Sequence, residues 1–184
     1  MPFVKNRKKS ITLVLGGARS GKSRYAQELA SGFERVTFIA TARAGDTEMR
    51  KKIDQHRRDR PRNWKTVEAQ RNLGRVIDSE SRFADVLLLD CLTFHAFNLM
   101  TAAKHAARAH HTKHIQELGR AIQAARSSVI AVSNEVGSGI VPEYRSGRIY
   151  RELLGQMNQE IAQIADNVIL MVAGIPVTIK KAQA

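Results

Sequence analysis

The stretch ITLVLGGARSGKS, residues 11–23, decides the fold class of this 184-residue chain. It opens with five apolar or β-branched residues, a pattern typical of a buried strand, and a helical pattern follows it. Its second half, Gly16-Gly17-Ala18-Arg19-Ser20-Gly21-Lys22-Ser23, matches the spacing G-x-x-x-x-G-K-[ST]. A strand, a glycine-rich turn and a helix in this order predict a phosphate-binding loop.

Each residue type in this loop has a physical role in binding phosphate. Glycines let backbone N–H groups wrap a phosphate without Cβ clashes, and the helix N-terminus adds positive potential. Lys22 is expected to reach the outer phosphates as a catalytic residue, and the Ser23 hydroxyl is expected to bind Mg²⁺. We therefore expect residues 16–23 to bind a nucleoside triphosphate. A chance glycine-rich turn would not require the strand, the lysine and the serine together.

Short apolar runs alternate with helical patterns along the rest of the chain. This alternation predicts an α/β fold of the P-loop NTPase, RecA-like type: a three-layer sandwich with a mostly parallel sheet and a C-terminal edge hairpin. The hairpin is expected to turn at residues 174–176. Strands are predicted at 11–15, 36–40, 86–89, 129–132, 168–172 and 177–179, and helices at 23–30, 47–58, 93–107, 114–126 and 146–165.

A P-loop needs a carboxylate at the end of a neighbouring strand to hold Mg²⁺ or its water. Asp90 ends the apolar run after Asp85 and is the candidate, together with Ser23, for the metal site. The alternative is that Asp90 caps the helix that follows. Asp85 begins the same strand, so it is expected at the opposite edge of the sheet in a structural role.

The amino-acid composition limits which partners, compartments and domain organisations are compatible with the chain. The chain carries a net charge of +13, of which residues 1–75 hold 12 charges, so a polyanionic partner or substrate is a live hypothesis. A single cysteine is compatible with a cytoplasmic protein, and no apolar stretch is long enough for a membrane span. Residues 1–10 are expected to be a flexible basic leader, followed by a single nucleotide-binding domain over 11–184.

A second basic segment surrounds one histidine. Residues 50–65 carry eight basic residues and two acids around His56. Following the second strand, this segment would reach the phosphate site at the carboxyl ends of the strands. His56 is then a candidate nucleophile or proton carrier, kept neutral by the surrounding cations. The alternative is a surface histidine in a solvated helix.

Several blocks of residues, in order, carry a resemblance to a known family over residues 11–180. The chain resembles the bifunctional adenosylcobinamide kinase/adenosylcobinamide-phosphate guanylyltransferases of cobalamin biosynthesis. The blocks are residues 16–24, Ile39-Ala40-Thr41, His56 with Arg60-Pro61, Trp64, Thr66 and Glu68, Leu89-Asp90-Cys91-Leu92-Thr93, residues 134–143, Asn158-Gln159 and Gly174-Ile175.

This resemblance implies two reactions on one framework. A nucleoside triphosphate, ATP or GTP, would phosphorylate the aminopropanol hydroxyl of adenosylcobinamide. GTP would then transfer GMP to the catalytic His56, and the corrinoid phosphate would take it up to give adenosyl-GDP-cobinamide. The resemblance also implies a homotrimer, and it implies nucleotide contacts at Ala40, Thr41, Ala42, Arg57, Arg58, Asp59, Arg60, Glu68 and Asp90.

This chain departs from the family pattern at three places. Asp90 stands where the family usually has Glu, and Asp59 stands where it has a small glycine. The helical region 93–126 is unusually rich in His and Ala, so family corrinoid contacts cannot be carried over to it. Within it, His110 and His114 have the i,i+4 spacing of a metal pair, although a solvated helix explains them as well.

Two other functions are compatible with the residues. One is a stand-alone P-loop small-molecule kinase without a covalent histidine. The other is a nucleic-acid-binding P-loop protein, which the charge suggests. Aromatic residues make up only 5% of the chain and do not interleave with the basic segment, so the sequence argues against nucleic acid as a partner. The small-molecule corrinoid substrate is what the resemblance implies.

Overall fold

A computed structural model describes residues 8–42, 60–102 and 108–182 of the chain. Strands and helices alternate along most of it, as expected for an α/β fold. The strands are β1 (Ile11–Gly16), β2 (Val36–Ala40), β3 (Lys65–Glu68), β4 (Val86–Asp90), β5 (Ser128–Asn134), β6 (Asn167–Val172) and β7 (Ile175–Lys180). The helices are α1 (Lys22–Ala30), α2 (Leu73–Glu80), α3 (Leu92–Ala102), α4 (Arg108–Ala124) and α5 (Arg145–Ile164).

The seven strands form one sheet in the order β3-β2-β4-β5-β1-β6-β7. All neighbouring pairs are parallel except β6 and β7, which form an antiparallel edge hairpin. The carboxyl ends of the parallel strands therefore meet at one edge of the sheet. The sequence predicted that Asp90 ends a strand adjacent to the P-loop strand β1. In the structure β5 lies between β1 and β4, so the strand that Asp90 ends is separated from β1 by one strand.

Two hydrophobic clusters cover the two faces of the sheet. The larger contains the buried residues of α2, α3, α4 and α5, among them Leu73, Leu92, Ile122 and Leu154. The smaller packs Ala26 and Ala30 of α1 against the opposite face. Along a strand such as β4, successive residues join opposite clusters, because side chains alternate between the faces of a sheet. The result is the predicted three-layer arrangement.

The predicted strands and most helices are confirmed, with several corrections. Strand β3 and helix α2 were missing from the sequence interpretation. The turn of the hairpin lies at Ala173 and Gly174, so Ile175 and Pro176 already belong to β7. Helix α4 begins at Arg108, six residues before the expected start, because no Gly or Pro interrupts residues 108–113. The predicted helix 47–58 and residues 103–107 of another lie outside the described residues.

The amino edge of the sheet is held by polar pairs. Asp85 accepts hydrogen bonds from the Arg35 backbone N–H at 2.9 Å and from its guanidinium at 2.6 Å. The guanidinium bonds hold the pKa of the Asp85 carboxyl below its ordinary value. Asp85 therefore has the structural role that the sequence predicted. In the described part of the chain, no helix is both long and apolar enough to traverse a bilayer.

Candidate functional site

The P-loop connects the end of β1 to the start of α1, as the motif predicts. Gly21 has a φ of 91°, a left-handed conformation that glycine adopts without strain. A Cβ on Gly16 would lie 2.4 Å from Ser20 Oγ and 2.8 Å from the Met171 carbonyl oxygen, so no side chain fits there. Gly17, Ala18 and Arg19 are exposed, and Ser20 is buried beneath them. The loop therefore presents its backbone to solvent at the carboxyl edge of the sheet.

The two functional side chains of the motif occupy the first turn of α1. Lys22 Nζ donates a hydrogen bond to the Gly17 carbonyl oxygen at 2.9 Å, which folds the side chain back over the loop. Burial lowers the pKa of Lys22, and the electrostatic effects of Cys91 and Asp90 oppose that shift. Ser23 follows on the same turn and is partly buried. The ammonium group is thus placed where bound phosphate would replace its carbonyl partner.

The edge hairpin supports the P-loop from the side. The Gly174 backbone N–H donates a hydrogen bond to the Ser20 carbonyl oxygen at 3.0 Å. Gly174 has a φ of 83°, and its Cα would lie 3.4 Å from a Cβ placed on Gly21. Two glycines therefore meet where the turn between β6 and β7 reaches the loop.

Three strand ends place predicted site residues in one row. Ala40 pairs with Glu68 of β3 on one side and with Asp90 of β4 on the other. Because neighbouring strands lie about 4.8 Å apart, the Cα atoms of Glu68 and Asp90 are roughly 10 Å apart. The two carboxylate residues thus flank Ala40 at the same edge of the sheet as the P-loop.

Thr41 ties the end of β2 to the end of β4. It is fully buried, its hydroxyl donates to the Cys91 carbonyl oxygen at 2.6 Å, and it accepts from the Cys91 N–H at 2.9 Å. Asn98 Nδ2 donates to the Thr41 carbonyl oxygen at 2.9 Å. Ala42 follows and is partly buried. Since protein groups bond the Thr41 side chain and its carbonyl, this residue shapes the edge of the site.

Cys91 lies in the same hydrogen-bonded corner, after a cis peptide bond from Asp90. Burial is the main cause that raises the pKa of its thiol to about 11, and the charge of Asp90 adds to the effect. The thiol is therefore protonated at neutral pH, and it lies buried in this corner.

The basic segment is described only at its end. Arg60 places its guanidinium carbon 3.4 Å from the centre of the buried Phe38 ring on β2, a cation–π contact. This contact anchors the segment to the sheet face covered by the smaller cluster. The predicted nucleophile His56 and its neighbours Arg57, Arg58 and Asp59 lie outside the described residues.

The end of β5 carries a network that sequence reasoning found only in part. The Asn134 N–H donates to Thr93 Oγ1 at 2.9 Å, and Asn158 Nδ2 donates to the Asn134 carbonyl oxygen at 3.0 Å. The next amide, of Glu135, donates to the Gly16 carbonyl oxygen at 3.1 Å. Residues 134–143 are one of the blocks that carry the family resemblance, whereas the support from Thr93 has no local sequence signal.

The loop after β5 is fastened by an arginine of α5. Arg151 donates to the Gly137 carbonyl oxygen at 2.6 Å and to that of Gly139 at 3.5 Å. Beyond these bonds, the side chain of Ile140 is 97% exposed. The loop therefore combines a fixed backbone with apolar side chains open to solvent.

A separate cavity of about 850 Å³ lies between α2, α3 and α4. Three histidines of the His-rich region line it, namely His95, His110 and His114. Among residues 8–42, 60–102 and 108–182, no group of three His, Cys, Asp or Glu side chains is arranged to hold a metal ion. The i,i+4 pair in this region therefore lacks the third ligand of an ordinary metal site.

The arrangement of strands and P-loop is that of known P-loop ATPases. A prototypical ATPase of a bacterial type III secretion system aligns with a TM-score of 0.57 at 11% identity, over 92% of this chain and 56% of the ATPase chain. A structure from Pyrococcus horikoshii OT3 aligns with a TM-score of 0.56 at 8% identity, over 98% of this chain and 91% of that chain. At such low identities these structures establish the fold alone. Evidence on the activity comes from the proteins that are similar in sequence.

The proteins that are similar in sequence share much higher identity with this chain than those structures do. The bifunctional adenosylcobalamin biosynthesis protein CobU of Escherichia coli is 40% identical over 91% of this chain and 98% of its own length. CobU of Salmonella typhimurium is 41% identical, and CobP of Pseudomonas aeruginosa 40% identical, each over 91% of this chain and at least 96% of its own length. The family model described as cobinamide kinase / cobinamide phosphate guanyltransferase matches residues 12–179. Because the family model covers residues 12–179 and these relatives are about 40% identical over 91% of the chain, this protein is a member of the cobinamide kinase / cobinamide phosphate guanyltransferase family.

Proposed function

We propose that this protein phosphorylates adenosylcobinamide and then transfers GMP from GTP to the resulting phosphate, giving adenosyl-GDP-cobinamide. The observation that carries the proposal is the shared carboxyl edge, where the P-loop and the row of Glu68, Ala40 and Asp90 occur together in a member of this family. ATP or GTP serves the first step, and GTP serves the second.

In the kinase step, the acceptor hydroxyl attacks the γ-phosphorus of the triphosphate while the bond to the β-phosphate oxygen breaks. Positioning and electrostatic stabilisation account for most of the catalysis in such reactions. Lys22 supplies positive charge beside the transferred group, and its bond to the Gly17 carbonyl shows that the side chain reaches over the loop. The backbone of residues 16–21 holds the remaining phosphates.

In the transferase step, we propose that a nitrogen of His56 attacks the α-phosphorus of GTP and pyrophosphate leaves. A phosphate oxygen of the acceptor then attacks the same phosphorus, the N–P bond breaks, and the imidazole is regenerated. Arg57, Arg58, Asp59 and Arg60 follow the histidine and are assigned to nucleotide contacts, together with Ala40, Thr41, Ala42, Glu68 and Asp90. The anchoring of Arg60 on Phe38 supports this, because it fixes the end of the segment near β2.

Mg²⁺ is assigned to the Ser23 hydroxyl and the Asp90 carboxylate. Both are hard oxygen donors, as Mg²⁺ requires, and both lie at the carboxyl edge of the sheet. When bound, the ion neutralises charge that develops on the phosphates. Asp90 is one methylene shorter than the family's glutamate and keeps the same charge, so it would still supply a carboxylate oxygen to the ion.

Mass spectrometry tests the covalent intermediate directly. After incubation with Mg²⁺ and GTP, we expect an acid-labile GMP adduct on the peptide containing His56. The adduct should be absent in His56→Ala and present in the control His105→Ala, which also removes one histidine from a basic region. An intact His56→Ala enzyme that still forms adenosyl-GDP-cobinamide would refute the intermediate and favour a different transfer route.

A second assay separates the stand-alone kinase from the bifunctional enzyme. His56→Ala should retain ATP-dependent phosphorylation of adenosylcobinamide, and Lys22→Ala should lose most of it while remaining folded. If the wild-type protein phosphorylates the corrinoid and never transfers GMP, the chain is a kinase only. If neither reaction occurs, the proposed function is wrong.

We further propose a cytoplasmic homotrimer with a single domain over residues 11–184 after a basic leader, and without nucleic acid as a partner. Apolar side chains on the edge strand β7 support self-association, since Ile175, Val177 and Ile179 are all at least 47% exposed. Analytical ultracentrifugation should give three times the 20.5 kDa chain mass. Salt-dependent binding of an oligonucleotide at physiological ionic strength would contradict the last point.

A further inference from the structure

The His-lined cavity lies beside the nucleotide edge. Asn98, on its wall, donates hydrogen bonds to the carbonyl oxygens of Thr41 at 2.9 Å and of Gln70 at 3.2 Å. The same wall therefore contacts the strand ends of the row that contains Ala40. A ligand in the cavity would be next to the nucleotide region without occupying the P-loop.

One histidine in the cavity wall, His95, is buried and neutral. His95 on α3 is only 6% exposed, and its Nδ1 has no hydrogen-bond partner in the described part of the chain. Burial lowers its pKa to about 4, with a smaller contribution from His114, so the ring is neutral at physiological pH. The cavity wall therefore contains a neutral imidazole whose Nδ1 is buried without a hydrogen-bond partner among the described residues, which costs free energy.

A second histidine has the support that metal-binding histidines usually have. His114 Nδ1 lies 3.5 Å from Glu117 Oε2, and its Nε2 lies 3.1 Å from Nε2 of His110. A carboxylate beside Nδ1 favours the tautomer with the proton on Nδ1, and the Nε2 lone pair then accepts a hydrogen bond from the Nε2–H of His110. His110 and Glu117 both line the cavity with His114.

These histidines do not form a site for a free metal ion, since the described residues contain no three-ligand group. One imidazole is enough, however, for a metal whose other positions are filled by a macrocycle. Cobinamide is such a ligand, because its corrin ring fills four cobalt positions and it lacks the nucleotide base that would occupy the lower axial position. Imidazole nitrogen is a good ligand for such late first-row metals.

We propose that the cavity between α2, α3 and α4 binds the corrin ring of the acceptor, with Nε2 of His114 as the lower axial ligand of its cobalt. The inference rests on the proposed function and adds a substrate subsite to it. The step is a ligand exchange without redox change: water leaves the cobalt, the hydrogen bond from His110 to His114 Nε2 breaks, the His114 lone pair forms the new bond to cobalt, and the proton stays on Nδ1 beside Glu117.

The remaining wall suits the periphery of such a molecule. A corrin carries several carboxamide arms, and the side chains of Gln70 and Asn72 offer amide donors and acceptors in the cavity wall. Asn98, whose Nδ2 already donates two hydrogen bonds, offers its Oδ1 as an acceptor. Three strand spacings, roughly 14 Å, separate β2 from the P-loop strand β1. Only an extended arm can cover that distance, which agrees with a reacting hydroxyl that sits at the end of a long side chain.

Electron paramagnetic resonance on the protein with cob(II)inamide tests the axial bond. An axial nitrogen splits each resolved cobalt line into a triplet, whereas axial water does not. We expect triplets with the wild-type protein, and doublets when the protein is labelled with ¹⁵N-histidine. His114→Ala should lose the splitting, and His110→Ala, the control that removes its ring neighbour, should keep it. Glu117→Gln should weaken corrinoid binding severalfold.

The outcomes separate this inference from the function on which it rests. Phosphorylation of adenosylcobinamide together with unsplit cobalt lines would overturn the axial ligand and leave the proposed function standing. Triplets that persist in His114→Ala would also overturn the assignment. If the wild-type protein neither binds nor phosphorylates the corrinoid, both proposals fall together. Tight binding of Zn²⁺ alone at His114, without corrinoid binding, would instead indicate a free-ion site and contradict the inference.

Discussion

The backbone N–H of Gly174 donates a hydrogen bond to the carbonyl oxygen of Ser20 at 3.0 Å, so the last hairpin of the chain fixes the first loop. The bond reaches the P-loop at the residue before Gly21, where the left-handed turn into α1 begins. A displacement of the hairpin turn would therefore shift the backbone of the P-loop.

Gly174→Ala should weaken nucleotide binding. An alanine at a φ of 83° costs about 1 kcal/mol, and relief of that strain shifts the donor away from Ser20. We expect the free energy of unfolding to fall by about that amount and the GTP affinity, measured by calorimetry, to fall severalfold. Gly155→Ala is the matched control, since a Cβ there meets nothing within 4 Å on α5 and should leave binding unchanged. Unaltered GTP affinity in Gly174→Ala would show that the turn supports only the fold.

Thr41→Val should destabilise the protein by about 1–3 kcal/mol. The isosteric side chain removes the acceptor of the Cys91 N–H and the donor to its carbonyl, and both groups are buried. Urea unfolding measures the change, with Thr41→Ser as the control that keeps the hydroxyl. Equal stability of the valine and serine variants would mean that water replaces the lost bonds.

Acid should destabilise the protein through His95. Its folded-state pKa of about 4 lies below the ordinary 6.5, so between these values the unfolded chain binds more protons than the folded one. Stability is therefore fully present above pH 6.5 and is lost as the pH falls towards 4. From pH 7.5 to pH 5 we expect a loss of about 2 kcal/mol from this group. His95→Gln should flatten that part of the stability profile in urea unfolding, and an unchanged profile would contradict the burial of a neutral ring.

Cys91 should react slowly with thiol reagents. With its pKa raised to about 11, roughly one thiol in a thousand is ionised at pH 8, against one in ten for an ordinary cysteine. Because Cys91 is the only cysteine of the chain, the rate of the reaction with Ellman's reagent reports this one site. We expect a rate at least a hundredfold higher in guanidinium chloride than in buffer. A fast native reaction would mean that the corner formed with Thr41 opens readily.

Much of the fold follows from local sequence patterns, because buried parallel strands are continuous apolar runs. β1 and β4 could be predicted for this reason, and so could the edge hairpin. β3 could not, since Lys65, Thr66 and Glu68 are exposed on an edge strand and leave no apolar run to recognise. Helix α2 has a readable signal in its buried Leu73 and Ile77, which are spaced i,i+4, but it is only eight residues long.

The candidate site also has features that local sequence patterns predict and features that they do not. The P-loop is a contiguous motif, so its residues and their place between β1 and α1 could be predicted directly. Strand order is a long-range property, so nothing local indicates that β5 separates Asp90 from β1. The same holds for the bonds from Asn98 to Thr41 and from Thr93 to Asn134, which join residues 57 and 41 positions apart.

The position of β1 has a consequence for synthesis of the chain. Its two sheet neighbours, β5 and β6, begin at Ser128 and Asn167, more than a hundred residues after the end of β1 in the chain. A nascent chain therefore carries its complete Gly16–Ser23 motif long before any strand can flank it. Messages truncated before β6 should yield polypeptides that contain the motif and cannot retain nucleotide, which makes nucleotide capture a marker that synthesis has passed β6.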